Sequence, residues 1–190
     1  MIKQMQQLLD YLAIQEEAVL TCNASEMKLA VHSDTSYLSE PKARSRAGGY
    51  FFFSNNAAIP RNNGAVLNIK HIIKRVMISA TKAELAGLYI MAIDDVYIRI
   101  ILKEMRHAQP PTPLQTDNAM AEKIVNGKIT PEQTKAMDMR FHWLGDRECQ
   151  KQFRIYWRPG KLNYVEYWTK HHAATHHQNV WKDSLTGLRV

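Results

Sequence analysis

The sequence predicts an α/β domain built around a mixed five-stranded sheet. Three short strand-like runs separated by turn-forming residues occupy residues 28–72. A long stripe of 3.6-residue period follows them over 79–105. Short strands and helices then alternate to the end. Early consecutive strands favour an antiparallel meander, and the later alternation adds strands after helical crossovers.

Each element has its own signal. Ile2, Met5, Leu8, Leu9, Leu12 and Ile14 recur at helical spacing and predict an amphipathic helix over 2–19. In "KLAVHSD" (28–34), Leu29, Val31 and Ser33 alternate with Lys28, Ala30 and His32, a strand with Asp34 at its tip. "EPKARSRAGG" (40–49) is basic and glycine-containing and predicts a connection to the second strand, "YFFFS" (50–54). The turn-rich "NNAAIPRNNG" leads to a third strand, "AVLNIKHI" (65–72). Leu85, Leu88, Ala92, Val96 and Ile100 trace one face of the long helix, with Ser79 or Thr81 as its cap. Pro110, Pro111 and Pro113 cannot continue it. "LQTD" (114–117) reads as a fourth strand and 118–126 as a short helix. Thr130, Pro131 and Gln133 then mark the start of another helix running to about Arg147. "FRIYW" (153–157) is a fifth strand, "RPGK" a turn, and "NYVEYWTKHH" (163–172) a final helix.

The 190 residues suffice for one domain with a real core. A net charge of +7 favours a polyanionic partner. Cys22 and Cys149 are in no CxxC pair, so neither a disulfide framework nor a thiolate metal site is expected. No long apolar run reads as a membrane span, and the Gln- and Glu-bearing N-terminal stretch is unlike a signal peptide. These features predict an intracellular protein, in cytoplasm or nucleus, with no membrane partner.

Three acids stand out by position. Asp34 ends the first predicted strand, Asp117 ends the fourth, and Glu84 lies near the start of the long helix. If the two strands are neighbours, about 4.8 Å apart, the carboxylates repel each other unless a cation lies between them. Oxygen ligands suit a hard divalent ion, Mg²⁺ or Mn²⁺. The competing reading makes Asp117 the N-cap of the short helix behind it.

Five blocks in register resemble the ribonuclease H domain of copia-type LTR retrotransposon polyproteins: "KLAVHSDTSYLSEPKARSRAGGYFFF", "SATKAELAGLY", "LQTDN", "KAMDMRFHWLGDR" and "YWRPGKLNYVEYWTKHH". The likeness spans 28–177, with 1–27 as a connection helix and loop and 178–190 as a tail. It implies a ribonuclease H-like fold, two Mg²⁺ ions (Mn²⁺ as the alternative) and hydrolysis of the RNA strand of an RNA–DNA hybrid. Its catalytic, metal-binding acids fall on Asp34, Glu84 and Asp117. Where that family carries a fourth aspartate, this chain has Glu166. Glu166 is either a longer ligand or a capping-box partner of Asn163, and Asp138 is its rival. Arg44 and Arg46, within a basic group that includes Lys42, Arg61, Lys70 and Lys74, are candidates for substrate contact together with Asn118. "QLLDYLA" is similar to the segment that joins that domain to its reverse transcriptase, which makes a reverse transcriptase domain a second expected partner. Glu166 and the departure at "SATKAEL" keep an alternative open: a catalytically impaired retroelement remnant that binds nucleic acid or another partner.

Overall fold

The computed structural model describes residues 2–14, 18–127, 139–160, 163–170, 172, 175–176, 180 and 185–187. Their elements are α1 (Ile2–Ile14), β1 (Ala18–Leu20), β2 (Lys28–Glu40), β3 (Arg44–Ser54), β4 (Ala65–Ile73), α2 (Ala80–Glu104), β5 (Thr112–Thr116), α3 (Ala119–Val125), α4 (Met139–Cys149), β6 (Phe153–Trp157), α5 (Glu166–Thr169) and β7 (Leu185–Gly187). The main sheet has five strands in the order β4-β3-β2-β5-β6. β2, β3 and β4 form the expected antiparallel meander. β5 and β6 join it in parallel.

The inner strands β3, β2 and β5 are buried on both faces over most of their length. Leu29, Val31, Phe51, Leu114 and Ile155 form the larger core with Leu85, Leu88 and Met91 of α2 and Phe141 and Leu144 of α4. On the opposite face Ala30, Tyr50, Phe52, Ala65 and Val165 make a smaller cluster, with Tyr164 and Trp168 against it. Coverage on both sides is why β3 carries an unbroken apolar run instead of an alternation.

β2 and β3 are longer than the sequence suggests. Asp34 therefore lies within β2 and not at its tip, and residues 44–49 belong to β3. The cause is the role of Gly48 and Gly49, which punctuate no turn here. A Cβ on Gly48 would come within 2.7 Å of both Thr169 Cγ2 and Val165 Cγ1, and one on Gly49 would run into Met91 Sδ. The glycines let chain segments approach opposite faces of the sheet at consecutive positions. The turn occupies residues 41–43, where Lys42 and Ala43 adopt φ of 63° and 53°.

Other boundaries move as well. The predicted final helix reduces to the four residues of α5, and Asn163, its expected first residue, is tied to β2 through its side chain instead. Thr130, Pro131 and Asp138 lie outside the described residues. α1 forms, but Ile2, Met5, Leu9 and Leu12 stand exposed. β1 and β7, an antiparallel pair remote in sequence, have no counterpart in the periodicity. Among the described residues no helix is long and apolar enough to cross a membrane.

Candidate active site

Parallel pairing of β2 with β5 sets the geometry. Val31 is in register with Leu114 and His32 with Gln115. Carrying that register forward two residues sets Asp34 beside Asp117, the first residue past β5. Ser79 caps α2 by accepting from the Lys82 amide, which fixes the helix start and places Glu84 one turn inside. The Thr35 amide donates to Glu84 Oε1 at 2.9 Å and the Thr116 hydroxyl to Oε2 at 3.4 Å. Glu84 is thereby held to both strands. Asp34, Glu84 and Asp117 each offer a carboxylate oxygen, and the three oxygens lie within 4.8 Å of one another.

The cap reading of Asp117 fails for a local reason. Asn118 takes that role: its Oδ1 accepts from the Met120 and Ala121 amides at 3.0 Å each. The Asp117 carboxylate stays free of α3, and the Asp117 carbonyl accepts from Trp157 Nε1 at 2.9 Å. Gly160 leaves room for it, since a Cβ there would stand 2.8 Å from Asp117 Oδ2. Gly160 is thus part of the site's wall as well as of the "RPGK" turn.

Electrostatically the cluster is strained. Burial raises the pKa of all three acids. Glu84 is pushed well above its ordinary value, with the Asp34 and Asp117 charges adding to burial. For Asp34 the Thr169 hydroxyl and Lys170 work in the opposite direction, while Asp117 and Glu166 add to the rise. Asp117 is relieved by Lys170 and opposed by Glu166. An all-oxygen donor set, buried and short of positive charge, suits a hard divalent cation.

α5 closes the site from the smaller face. Thr169 Oγ1 donates a short hydrogen bond to Asp34 Oδ2. Asn163 Nδ2 donates to the Ser33 carbonyl at 2.8 Å, anchoring the segment one residue from Asp34. Neither role is visible from spacing; the sequence signal is only that both fall in the "NYVEYWTK" block.

Glu166 is outside the cluster of three. Its Oε1 is 2.5 Å from Lys170 Nζ, and no capping box forms, because Asn163 Oδ1 accepts from the Val165 amide instead. Arg46 lies opposite Ser36 in the β2–β3 ladder and forms an ion pair with Glu40, whose register partner is Arg44. Asn118 spends its side-chain oxygen on the cap. His32, two residues before Asp34, is fully buried, and burial followed by the Arg158 charge lowers its pKa to about 3. Its ring packs edge-on to Phe52 at 5.0 Å, so it is a neutral core residue.

This arrangement is the ribonuclease H fold. The chain is similar to the N-terminal ribonuclease H domain of a Mycobacterium tuberculosis protein, solved as a fusion with maltose-binding protein: TM-score 0.52, 14% identity, 83% of this chain and 97% of that one. It is similar as well to LC11 ribonuclease H1 isolated from compost, with TM-score 0.54, 10% identity and coverage of 75% and 92%. A second structure of the LC11 protein, in complex with an RNA/DNA hybrid, gives TM-score 0.50, 13% identity and coverage of 72% and 88%. No protein-family model matches the sequence, and no curated protein matches it.

Proposed function

We propose that the chain is a divalent-metal-dependent endonuclease that hydrolyses the RNA strand of RNA–DNA hybrids, the ribonuclease H domain of a copia-type LTR retrotransposon polyprotein. The observation that carries this reading is the convergence of Asp34, Glu84 and Asp117 oxygens within 4.8 Å. The hybrid bound to the LC11 structure supports the choice of substrate.

Asp34, Glu84 and Asp117 would hold Mg²⁺, or Mn²⁺ in its place, with Glu166 as the candidate fourth ligand for a second ion. Such ions supply Lewis-acid polarisation of the scissile phosphate and neutralise charge as the P–O3′ bond breaks. The chain's own residues provide the frame. Thr35 and Thr116 fix both Glu84 oxygens, Thr169 orients Asp34, and Asn163 keeps α5 seated. Lys70 is in register with Gly48, itself in register with Asp34, so a cation occupies the same row of the sheet as the catalytic acid. Together with Arg44 it fits a phosphate backbone, whereas Arg46, paired with Glu40, would have to leave that ion pair to contribute; 2′-hydroxyl contacts would distinguish RNA from DNA.

Residues 28–177 form the nuclease in this reading, and the open apolar stripe of α1 fits a connection that meets a reverse transcriptase domain. An intracellular location goes with it. Glu166, held by Lys170, favours one alternative: a remnant that binds hybrid without cutting it.

The test is a strand-labelled RNA–DNA hybrid incubated with the protein with and without Mg²⁺. Cleavage confined to the RNA strand and dependent on the ion supports the enzyme. Binding without cleavage supports the remnant, and neither binding nor cleavage ends both readings.

A further inference from the structure

The Lys170 ammonium acts electrostatically on both Asp34 and Asp117. Its Nζ is 2.5 Å from Glu166 Oε1, and its neighbour Thr169 donates directly to Asp34 Oδ2. The two residues at the end of α5 therefore address two acids at once. From their geometry we infer that Lys170 is a tethered counter-ion that competes with the second divalent cation for the Glu166 carboxylate.

This rests on the reading of Asp34, Glu84 and Asp117 as the primary ion site. In the metal-free chain Lys170 supplies positive charge that the buried acids lack. Partial burial works against that charge, yet Glu166, Asp34 and Asp117 outweigh it and hold the lysine pKa above its ordinary value. Glu166 is engaged by Lys170, so an ion using it must first break this pair and then sit near an ammonium of like sign. Both side chains of the pair keep some solvent contact, 42% for Lys170 and 31% for Glu166. The hydrogen bond to Glu166 is made by the terminal nitrogen at the end of the long lysine side chain. Lys170 is thus a positioning residue whose displacement accompanies loading of the second ion. The first ion, at Asp34, Glu84 and Asp117, does not require that displacement.

Calorimetric titration of the full chain with Mn²⁺, counted in parallel by electron paramagnetic resonance, tests this without any activity measurement. The wild type is expected to bind one ion well and a second weakly. Lys170→Met, with Lys170→Gln as an independent variant, tightens the weak site about tenfold, the scale of one exposed ion pair plus a removed like-charge repulsion. Lys170→Arg leaves it weak. Glu166→Gln removes the weak site, and adding Lys170→Met to it restores nothing. Circular dichroism and thermal melts establish that each variant is folded. An unchanged Mn²⁺ isotherm in both neutral Lys170 variants overturns the inference, and so does equal tightening when Glu166 is already Gln. Asp34→Asn separates the two levels: if it leaves the first ion in place, the proposed function fails with its metal site. If it removes that ion while Lys170 variants change nothing, only the counter-ion role falls.

Discussion

The hydroxyl of Thr169 donates to Asp34 Oδ2, joining the last short helix to the acid at the centre of the sheet. A donor on a carboxylate favours its ionised form. Thr169→Val keeps the shape and removes the donor. The Asp34 pKa then rises further, and the acidic limb of the cleavage-versus-pH profile moves to higher pH. Stability falls by about 1 kcal/mol, a typical single hydrogen bond. Cleavage profiles from pH 5 to 9 and a urea titration measure both. An acidic limb that stays in place denies Thr169 its influence on Asp34.

Asp117→Asn removes one of the three clustered carboxylates proposed to hold the ion, while Asn118 continues to cap α3. Mg²⁺-dependent cleavage drops by about a thousandfold or more, in line with the several kcal/mol a bound ion contributes. The far-ultraviolet circular dichroism stays that of the wild type. A mutant that cuts hybrid at the normal rate would falsify the site assignment.

The raised pKa values have a consequence for metal-free stability, with a definite sign. Asp34, Glu84 and Asp117 hold protons more tightly folded than unfolded. Their contribution is fully present below the ordinary carboxylate range near pH 4 and is lost as pH rises through the raised values. Without divalent ions the chain is therefore less stable at pH 8 than its remaining groups would make it. Glu84→Gln removes one of the three raised carboxyls and raises the melting temperature at pH 8 in chelator, where about 1 kcal/mol is worth roughly 2–4 °C. At pH 4 the gain vanishes, and Mg²⁺ at pH 8 raises the melting point of the wild type more than that of the variant. Differential scanning calorimetry with and without the ion decides; equal ion-induced shifts in the two proteins contradict the account.

If the proposed function holds, hybrid binding is expected to weaken steeply with salt, since neutralised phosphates release counterions. Lys70→Ala, on the exposed edge strand, lowers the slope of log affinity against log salt by about 1, one lost phosphate contact. Fluorescence anisotropy with a labelled hybrid gives the slope. A flat dependence in the wild type removes the basic meander as the contact surface.

Much of this site is legible in the sequence because its acids mark structural transitions. Asp117 follows an apolar run and Glu84 opens a periodic stripe, so position alone selects them. Asp34 stands out as the end of a short alternating run, yet the strand continues to Glu40. The reason it still meets Asp117 is that β5 is the shorter strand, leaving β2 to run past it. Gly48 and Gly49 mislead because a glycine pair signals a turn locally, whereas here it answers the crowding of Thr169, Val165 and Met91 from distant segments. Asn118 and Asp117 are adjacent polar residues at a helix start, and only geometry shows which one turns back to cap. The Lys170–Glu166 pair and the Asn163 anchor depend on how α5 is seated, which no local periodicity records.

The pairing of Val31 with Leu114 brings together residues far apart in the chain, across the whole meander and the long helix. Closing such a loop is slow, so this junction is expected to form after the β2–β3–β4 hairpins. The ion cradle therefore has no existence in a half-folded chain. An ion that binds only the completed junction leaves the rate of folding nearly untouched and slows unfolding instead, acting as a latch on kinetic persistence. Protease resistance in Mg²⁺ then reports the closing of one strand pair.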